Sequence, residues 1–267
     1  YFEPDYGLNL NRLQIPVNPY EVFKCDVPNM STALYFVVND AFYNKALPKT
    51  HLPEGVIFGS LKEVAEQHPD LVKKYYGKLA DTSKDGVTAF NTAFAQDGVL
   101  MYVPKNVVVE RPIQLINILR ADVNFMVNRR VLIILEEGAQ ARLLMCDHAM
   151  DGVNFLATQV VEVFAGANSV FDLYELEETH TSTVRISNLY VKQEANSNVL
   201  TMLCQIASVM NCLNMYSMTS LLALLPVWYW CVLMHSIQVL NKRTVIFVPP
   251  VMPVCIPSLS WKSMQTM

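Results

Sequence analysis

Three turn-like segments at a regular spacing limit what this chain can fold into. EEGAQARLL contains Ala139, FAGANSVFD contains Ala167 and KQEANSNVL contains Ala195, so the three alanines lie 28 residues apart, twice in succession. Each segment lies between apolar strands, and one further step back reaches Arg111 in VVVERPIQL. A strand–turn–strand unit cannot bury its own apolar face, so successive units must stack on one another.

This repeat predicts a mainly β chain whose core, over residues 89–200, is a right-handed parallel β-helix (a solenoid). Successive turns of such a coil place equivalent strands in parallel, with right-handed crossovers. In one unit Ala141, Leu143 and Met145 share a face, and Val161 and Val163 close the unit. We expect the three repeat alanines to occupy equivalent turns. A β-sandwich with regular strand spacing is the alternative.

Residues 1–88 predict a partly helical cap before this core. In GVIFGSLKEVAEQ a short strand leads into a helix, and Ser60 with Glu63 has the pattern of a capping box. Pro69 suits the first turn of a second helix, because its missing N–H is not needed there. The chain begins at Tyr1 without a signal-peptide pattern, so we expect it to be truncated.

Composition changes abruptly at residue 201. Residues 201–267 hold three of the 20 basic residues and none of the 24 acidic ones, but all three Trp and eight of the 13 Met. The acidic excess upstream is typical of a soluble protein and disfavours nucleic acid as a partner. Six Cys without a C-x-x-C pair favour free thiols in a reducing compartment, which predicts a cytoplasmic protein.

The stretch SLLALLPVWYWCVLM, Ser220 to Met234, has the apolar character of a membrane anchor. No Asp, Glu, Lys or Arg lies between Glu194 and Lys242, and about 20 apolar residues suffice to cross a bilayer. Pro226 falls inside the candidate helix and opposes it. We expect no membrane partner, and a membrane-anchored β-solenoid protein is the alternative.

Two clusters have residue types that could bind a metal ion or transfer protons. Cys146, Asp147 and His148 are adjacent, and adjacent strand residues point to opposite faces, so all three cannot converge on one ion. The other cluster is interpreted as an acidic loop at the edge of a rung, since a catalytic pair also needs a pocket. It consists of Glu175, Glu177, Glu178 and His180.

Other candidates carry less information. Arg129 and Arg130 are interpreted as a solvated turn instead of an anion site. The remaining candidates have no partner at an informative spacing, or lie in or beside the tail; they are His51, His68, His235, Cys204, Cys212, Cys231 and Cys255. We therefore assign no catalytic, cofactor-binding or metal-binding residue.

The segment AFNTAFAQDGVLMYVPKNVVVERPIQL, from Ala89 to Leu115, resembles the entry to the β-helix core of the SufB/SufD family of iron–sulfur cluster assembly proteins. The order Asn-x-Ala, Gly, Val-Pro-Lys, Pro-Ile is matched, and RRVLIILEEGAQARLL continues the match. Asn106 departs from the pattern, because the family often has Gly there. The lack of a Cys-rich N-terminal segment makes SufD the closer paralogue.

The resemblance implies a cytoplasmic, non-enzymatic scaffold subunit that pairs with a SufB-like paralogue and a SufC-like ATPase. A phosphate-binding Gly-rich loop is missing from the sequence, as expected for a subunit that does not itself hydrolyse ATP. The implied cofactor is a transient iron–sulfur cluster. The family's Cys-Ser-His-Gly region and C-terminal helices are absent, so we expect this chain to be non-functional or impaired.

The resemblance also suggests that residues 201–267 are translated out of frame. Met and Trp codons end in G, so a frame starting on each third base reads Glu at Met210–Asn211, Asp at Met218–Thr219 and Glu at Trp261–Lys262. With permitted codons from Gln205 onward, the shifted frame contains AQ-x-T, NRNL and P-x-LEI-x-ADD, as in the later SufB/SufD core.

A different function class is a β-helix enzyme that acts on carbohydrates. Such an enzyme should present convergent carboxylates on one face of the solenoid. The sequence shows no such ladder.

Overall fold

The computed structural model describes residues 33–44, 52–121, 123–149, 154–179, 182–205 and 212–220. The helices are α1 (Leu61–Gln67), α2 (Pro69–Tyr75) and α3 (Gly86–Phe94). The strands are β1 (Ala33–Val38), β2 (Ala41–Phe42), β3 (Ile57–Ser60), β4 (Val99–Val103), β5 (Ile113–Leu119), β6 (Phe125–Leu135), β7 (Gln140–Ala149), β8 (Phe155–Ala165), β9 (Val170–Glu178), β10 (Thr183–Gln193), β11 (Asn198–Gln205) and β12 (Cys212–Ser220).

Strands β4 to β12 alternate between two six-stranded sheets. The first sheet has the order β11-β9-β7-β5-β1-β2, and the second has the order β12-β10-β8-β6-β4-β3. All neighbours pair in parallel except β1 with β2 and β3 with β4. The chain thus winds into a β-solenoid of about three turns, which confirms the predicted mainly β, parallel β-helical fold.

The rungs differ in length, which corrects one prediction. Val170 pairs with Asn198, a step of 28 residues, but Gln140 pairs with Val170, a step of 30. Ala167 and Ala195 are equivalent, since each accepts a hydrogen bond from the turn before it. Ala139 is two positions out of step, so the expectation of three equivalent alanines was wrong for that residue. Two extra residues in a rung are absorbed by its bends, which sequence spacing cannot reveal.

The turns that follow the second-sheet strands share a left-handed residue. Asn106, Asn168 and Asn196 have φ of 59°, 58° and 57°, and Gly138 occupies the same place with φ of 68°. Asn and Gly tolerate this region better than other residues. Asn106 therefore satisfies the backbone requirement that Gly meets in the SufB/SufD pattern, and the Asn196 amide donates to Asn168 Oδ1 over 3.4 Å.

The inward-facing side chains form one apolar core between the sheets. Residues two apart along each strand share a face, so Val131, Ile133 and Leu135 on β6 meet Leu143 and Met145 on β7. The outer face of the second sheet is covered by α1, whose Leu61 and Val64 pack on Leu100, Leu132 and Ile134.

The N-terminal predictions are confirmed where the structure describes them. β3 leads into α1, Ser60 Oγ accepts the Glu63 N–H at 3.1 Å, and Pro69 begins α2. The predicted boundaries at 88 and 200 stay predictions, although α3 and β11 run across them and β1 joins the first sheet.

Residues 221–234 of the apolar stretch lie outside the described residues. In the part that the structure describes, no helix has the length and hydropathy needed to cross a bilayer.

We predict that Asn168→Val lowers the free energy of unfolding by about 1–2 kcal/mol, because a β-branched residue is strained at positive φ. Asn168→Gly, which keeps the backbone free, is the matched control and should lose much less. Urea denaturation followed by circular dichroism measures both. Equal losses in the two variants would show that the left-handed turn does not matter.

Candidate functional site

A group of charged and polar side chains lies inside the solenoid, towards the ends of the strands that lead to the bends. We call it the interior charged layer; it consists of Arg129, Asp147, Gln159, Glu175, Glu177, Arg185 and Ser187, all buried. Its position follows from strand alternation: Arg129 lies two residues before core Val131, and Asp147 lies two residues after core Met145. These charges therefore point inward with the apolar residues.

Apolar groups enclose this layer from both sides. The main core lies on one side. On the other side a second cluster fills the bend, made of Leu119, Ala121, Phe125, Val127, Phe155 and Ala157. Water is thus kept from the charges, and each charge needs a partner within the layer.

The layer is held together by ion pairs that cross between the sheets. Asp147 on β7 accepts from Arg129 Nη1 on β6 and lies 3.2 Å from Arg185 Nη2 on β10. Arg185 Nη1 lies 3.4 Å from Glu177 Oε2, and its Nη2 lies 4.0 Å from Glu175 Oε2. Three successive rungs are therefore joined by one chain of charges.

Hydrogen bonds extend the layer at both ends. Gln159 Nε2 donates to Glu175 Oε1 at 3.4 Å and to Ser187 Oγ at 3.3 Å. At the other end, Arg129 Nε donates to the Asn39 carbonyl at 3.0 Å. The Asn39 side chain in turn binds both backbone groups of Arg120. The β1–β2 turn is thereby fastened to the layer.

The carboxyl groups of the layer respond differently to burial. Burial opposes the ionisation of Asp147, but Arg185 and Arg129 hold its pKa below the ordinary value. Burial raises the pKa of Glu175 to about 7; Arg185 partly opposes this, while Asp147 and Glu177 add to it. Asp147 is therefore the anionic centre of the layer, and Glu175 is the carboxyl that most easily holds a proton.

A second buried group lies on the outer face of the second sheet and is called here the Glu162 clasp. It consists of Glu162, Arg130 and the backbone N–H groups of Gly77, Leu79 and Ala80. Arg130 Nη2 donates to Glu162 at 2.7 Å, and the three N–H groups donate at 2.9, 2.8 and 3.1 Å. The loop after α2 is thus bound to β6 and β8 through one carboxylate.

Helix α3 is attached to the same face by side-chain amides. Asn91 Nδ2 donates to the Arg129 carbonyl and to Thr158 Oγ1, both at 3.0 Å. Asn188 Nδ2 donates to Asp85 Oδ2 at 2.6 Å, beside the N-terminus of the helix. Burial opposes the ionisation of Asp85, but hydrogen bonds from Thr88 and Asn188 bring its pKa below the ordinary value.

The structure places Cys146 and Asp147 on opposite faces, as strand alternation predicts. Asp147 is in the interior charged layer, whereas Cys146 is a buried free thiol among apolar residues of the outer face of the first sheet. Gln114 Nε2 lies 3.9 Å from its sulfur. Within the described residues, no group of three or more His, Cys, Asp or Glu could hold a metal ion.

Two interpretations from the sequence were wrong. Glu175 and Glu177 are buried in β9, not in an acidic loop, because their strand continues to Glu178 with the same alternation. Arg129 and Arg130 are 3% and 0% exposed in β6, not in a solvated turn. Buried inside the solenoid, Glu175 and Glu177 are also out of reach of a saccharide on an outer face.

The other candidates are not brought together. His68 lies between α1 and α2. His51, His180, His235, Cys231 and Cys255 lie outside the described residues, as do the side chains of Glu178, Cys204 and Cys212. The sequence analysis overlooked Glu162, Gln159, Arg185 and Asn91. A single charge inside an apolar strand, as in VVEVF and TVRIS, was the available signal.

Two family models match the chain in succession. Residues 1–115 match the SufBD protein N-terminal region, and residues 118–219 match the SufBD core domain of the SUF system for FeS cluster assembly. The chain belongs to the SufBD family. The two matched regions meet between β5 and β6, so the Glu162 clasp and the Arg129–Asn39 hydrogen bond both join one region to the other.

Curated relatives carry the same family description. The SufBD family protein slr0074 of Synechocystis is 37% identical over 124 residues, 43% of this chain and 24% of its own. ABCI9 of Arabidopsis thaliana is 31% identical over 164 residues, 61% of this chain and 34% of its own. SufD of Bacillus subtilis is 33% identical over 115 residues, 42% of this chain and 26% of its own. The chain thus spans about a quarter to a third of these relatives.

We predict that Glu162→Gln lowers the free energy of unfolding by about 3–5 kcal/mol, because it leaves the fully buried Arg130 without its counter-charge. The control is Glu137→Gln, which breaks the exposed pair with Lys105 and should change stability little. Chemical denaturation measures both. Similar losses in the two variants would contradict a structural role for the clasp.

Proposed function

We propose that this chain is a SufD-like scaffold subunit of a SufBCD complex that assembles iron–sulfur clusters. The observation that carries the proposal is the succession of the SufBD N-terminal and core matches along one continuous solenoid. In this role the cluster is cargo that passes through the complex, and the scaffold contributes shape and partner surfaces.

The non-enzymatic part of the proposal is supported by what occupies the solenoid. The buried acids of the interior charged layer are committed to ion pairs with Arg129 and Arg185. A general acid or base must reach the proton that it transfers. Groups enclosed between two apolar clusters do not meet a substrate, so their role is to hold rungs together.

The partner proposal is supported by the sheet edges. β11 and β12 are the last strands of the two sheets in the described part of the chain. Edge strands present backbone N–H and C=O groups that another strand can pair with. We infer pairing with a SufB-like paralogue at the solenoid, and contact with a SufC-like ATPase within the resulting complex in the cytoplasm.

Co-expression with a tagged SufB-like subunit and a SufC-like ATPase tests the assignment. We expect this chain to be retained on the SufB-like subunit at one copy each. A Glu162→Gln variant controls for retention of misfolded chains, because it should lose retention in step with its folded fraction. Failure of the folded wild-type chain to be retained would contradict the partner proposal.

Impairment of this chain is a separate proposal with its own test. Genetic complementation of a strain that lacks SufD should give no growth under iron limitation when only these 267 residues are supplied. Growth equal to that with an intact SufD would overturn the proposed impairment and leave the family membership unaffected.

The proposed frameshift can be decided by sequencing the DNA and transcript around codons 201–267. The family match runs in the visible frame to residue 219, past Gln205 where the shift was predicted to begin, and β12 pairs with β10 up to Ser220. We expect one inserted or deleted base relative to intact relatives. A continuous frame in several independent reads would contradict the frameshift.

A further inference from the structure

We propose that the interior charged layer is a proton-binding site in which Glu175 carries a proton at neutral pH, and that loss of this proton weakens the solenoid. The proposal goes beyond the scaffold function and does not depend on it. The ligand is a proton exchanged with solvent, and no other reactant is needed.

The first argument is the balance of charge. The layer contains three carboxyl groups, on Asp147, Glu175 and Glu177, and two guanidinium groups, on Arg129 and Arg185. Each of these residues is at most 6% exposed. A net charge in such a dry region is costly, and a buried acid commonly becomes neutral instead. One proton on one of the three carboxyl groups makes the layer neutral.

The second argument identifies which carboxyl group takes the proton. Asp147 contacts both guanidinium groups, with Arg185 at 3.2 Å, and Glu177 lies 3.4 Å from Arg185. Glu175 lies 4.0 Å from Arg185, the longest of these separations. Coulombic attraction weakens with distance, so Glu175 gains least from being an anion.

The third argument is the partner of Glu175. Gln159, 1% exposed, faces it from β8 and donates to its Oε1. An amide can donate to a carboxylate or, with its two ends exchanged, accept from a carboxylic acid. Gln159 therefore accommodates both protonation states of Glu175, which an arginine at the same place would not.

The remaining surroundings agree with a protonated Glu175. The neighbouring strands place Met145 on β7 and Leu203 on β11 beside it, so no cation flanks it within the first sheet. Asp40, near Arg129 at the β1–β2 turn, adds further negative charge. His148 follows Asp147 on the opposite face of β7. Burial, the main cause, raises the pKa of Glu175 to about 7.

The sign of the effect on folding follows from this direction. The ordinary pKa of the group is 4.5 and the folded value is about 7, so the folded state binds the proton more tightly than the unfolded chain. The stabilisation is complete below the ordinary value and is lost as pH rises through the folded value. Between these limits the folding equilibrium constant falls up to about tenfold per pH unit.

The test compares the full chain with Glu175→Gln by urea denaturation between about pH 5 and pH 8.5. Glutamine copies the neutral acid, so we expect the wild type to lose stability relative to the variant as pH rises to about 7. Above that the difference should level off with the variant the more stable. A constant difference across the range, or a variant less stable than the wild type at pH 8, would overturn the proposal.

Two further measurements keep the result decisive. Glu177→Gln is the matched control on the same strand; it removes a carboxylate paired with Arg185 and should destabilise the chain at every pH. If Glu175→Gln fails to fold, calorimetric unfolding of the wild type at pH 6 in buffers of different ionisation heat measures proton release directly. Release of a proton supports the site, and no release overturns it.

Discussion

The stacking of parallel strands in fixed register is the constraint on which the rest of this structure depends. Because side chains alternate between the faces of a strand, register decides for every residue whether it enters the solenoid or leaves it. Asn117, Asp147 and Glu177 occupy one register position on the first sheet, and Arg129, Gln159 and Ser187 occupy one on the second. Polar groups that are far apart in the sequence are stacked by this rule into one layer.

Placing ionic groups between two apolar clusters favours one arrangement over others. Moving a strand by one residue would point its charges at solvent and its outer residues into the core, and every ion pair of the layer would be lost. A buried charge without a partner costs several kcal/mol, as an order of magnitude. We infer that the layer contributes to register specificity more than to net stability, since an apolar layer of the same volume would be at least as stable.

The fold was predictable from the sequence because its signal is periodic. The alternation that placed Leu143 and Met145 on one face extends by two residues to Asp147, and Leu173 extends to Glu175 and Glu177, so the inward position of these acids could also have been inferred. Their ion pairs could not. Arg129 and Arg130 resemble a solvated turn until the fold brings Asp147 and Glu162 to them from 18 and 32 residues away. Rung length was hidden because the bends absorb the two extra residues between Gln140 and Val170.

The two ends of the solenoid differ in a way that bears on a scaffold role. At one end the antiparallel strands β2 and β3 close the sheets, and Asn39 fastens that closure to β5 and to the charged layer. At the other end β11 and β12 are parallel edge strands in the described part of the chain. An antiparallel strand with a tight turn stops the winding, whereas a parallel edge permits another rung or a partner strand. Because the closed end belongs to the matched N-terminal region and the open edge to the core domain, growth and pairing of this scaffold are directed to the core end.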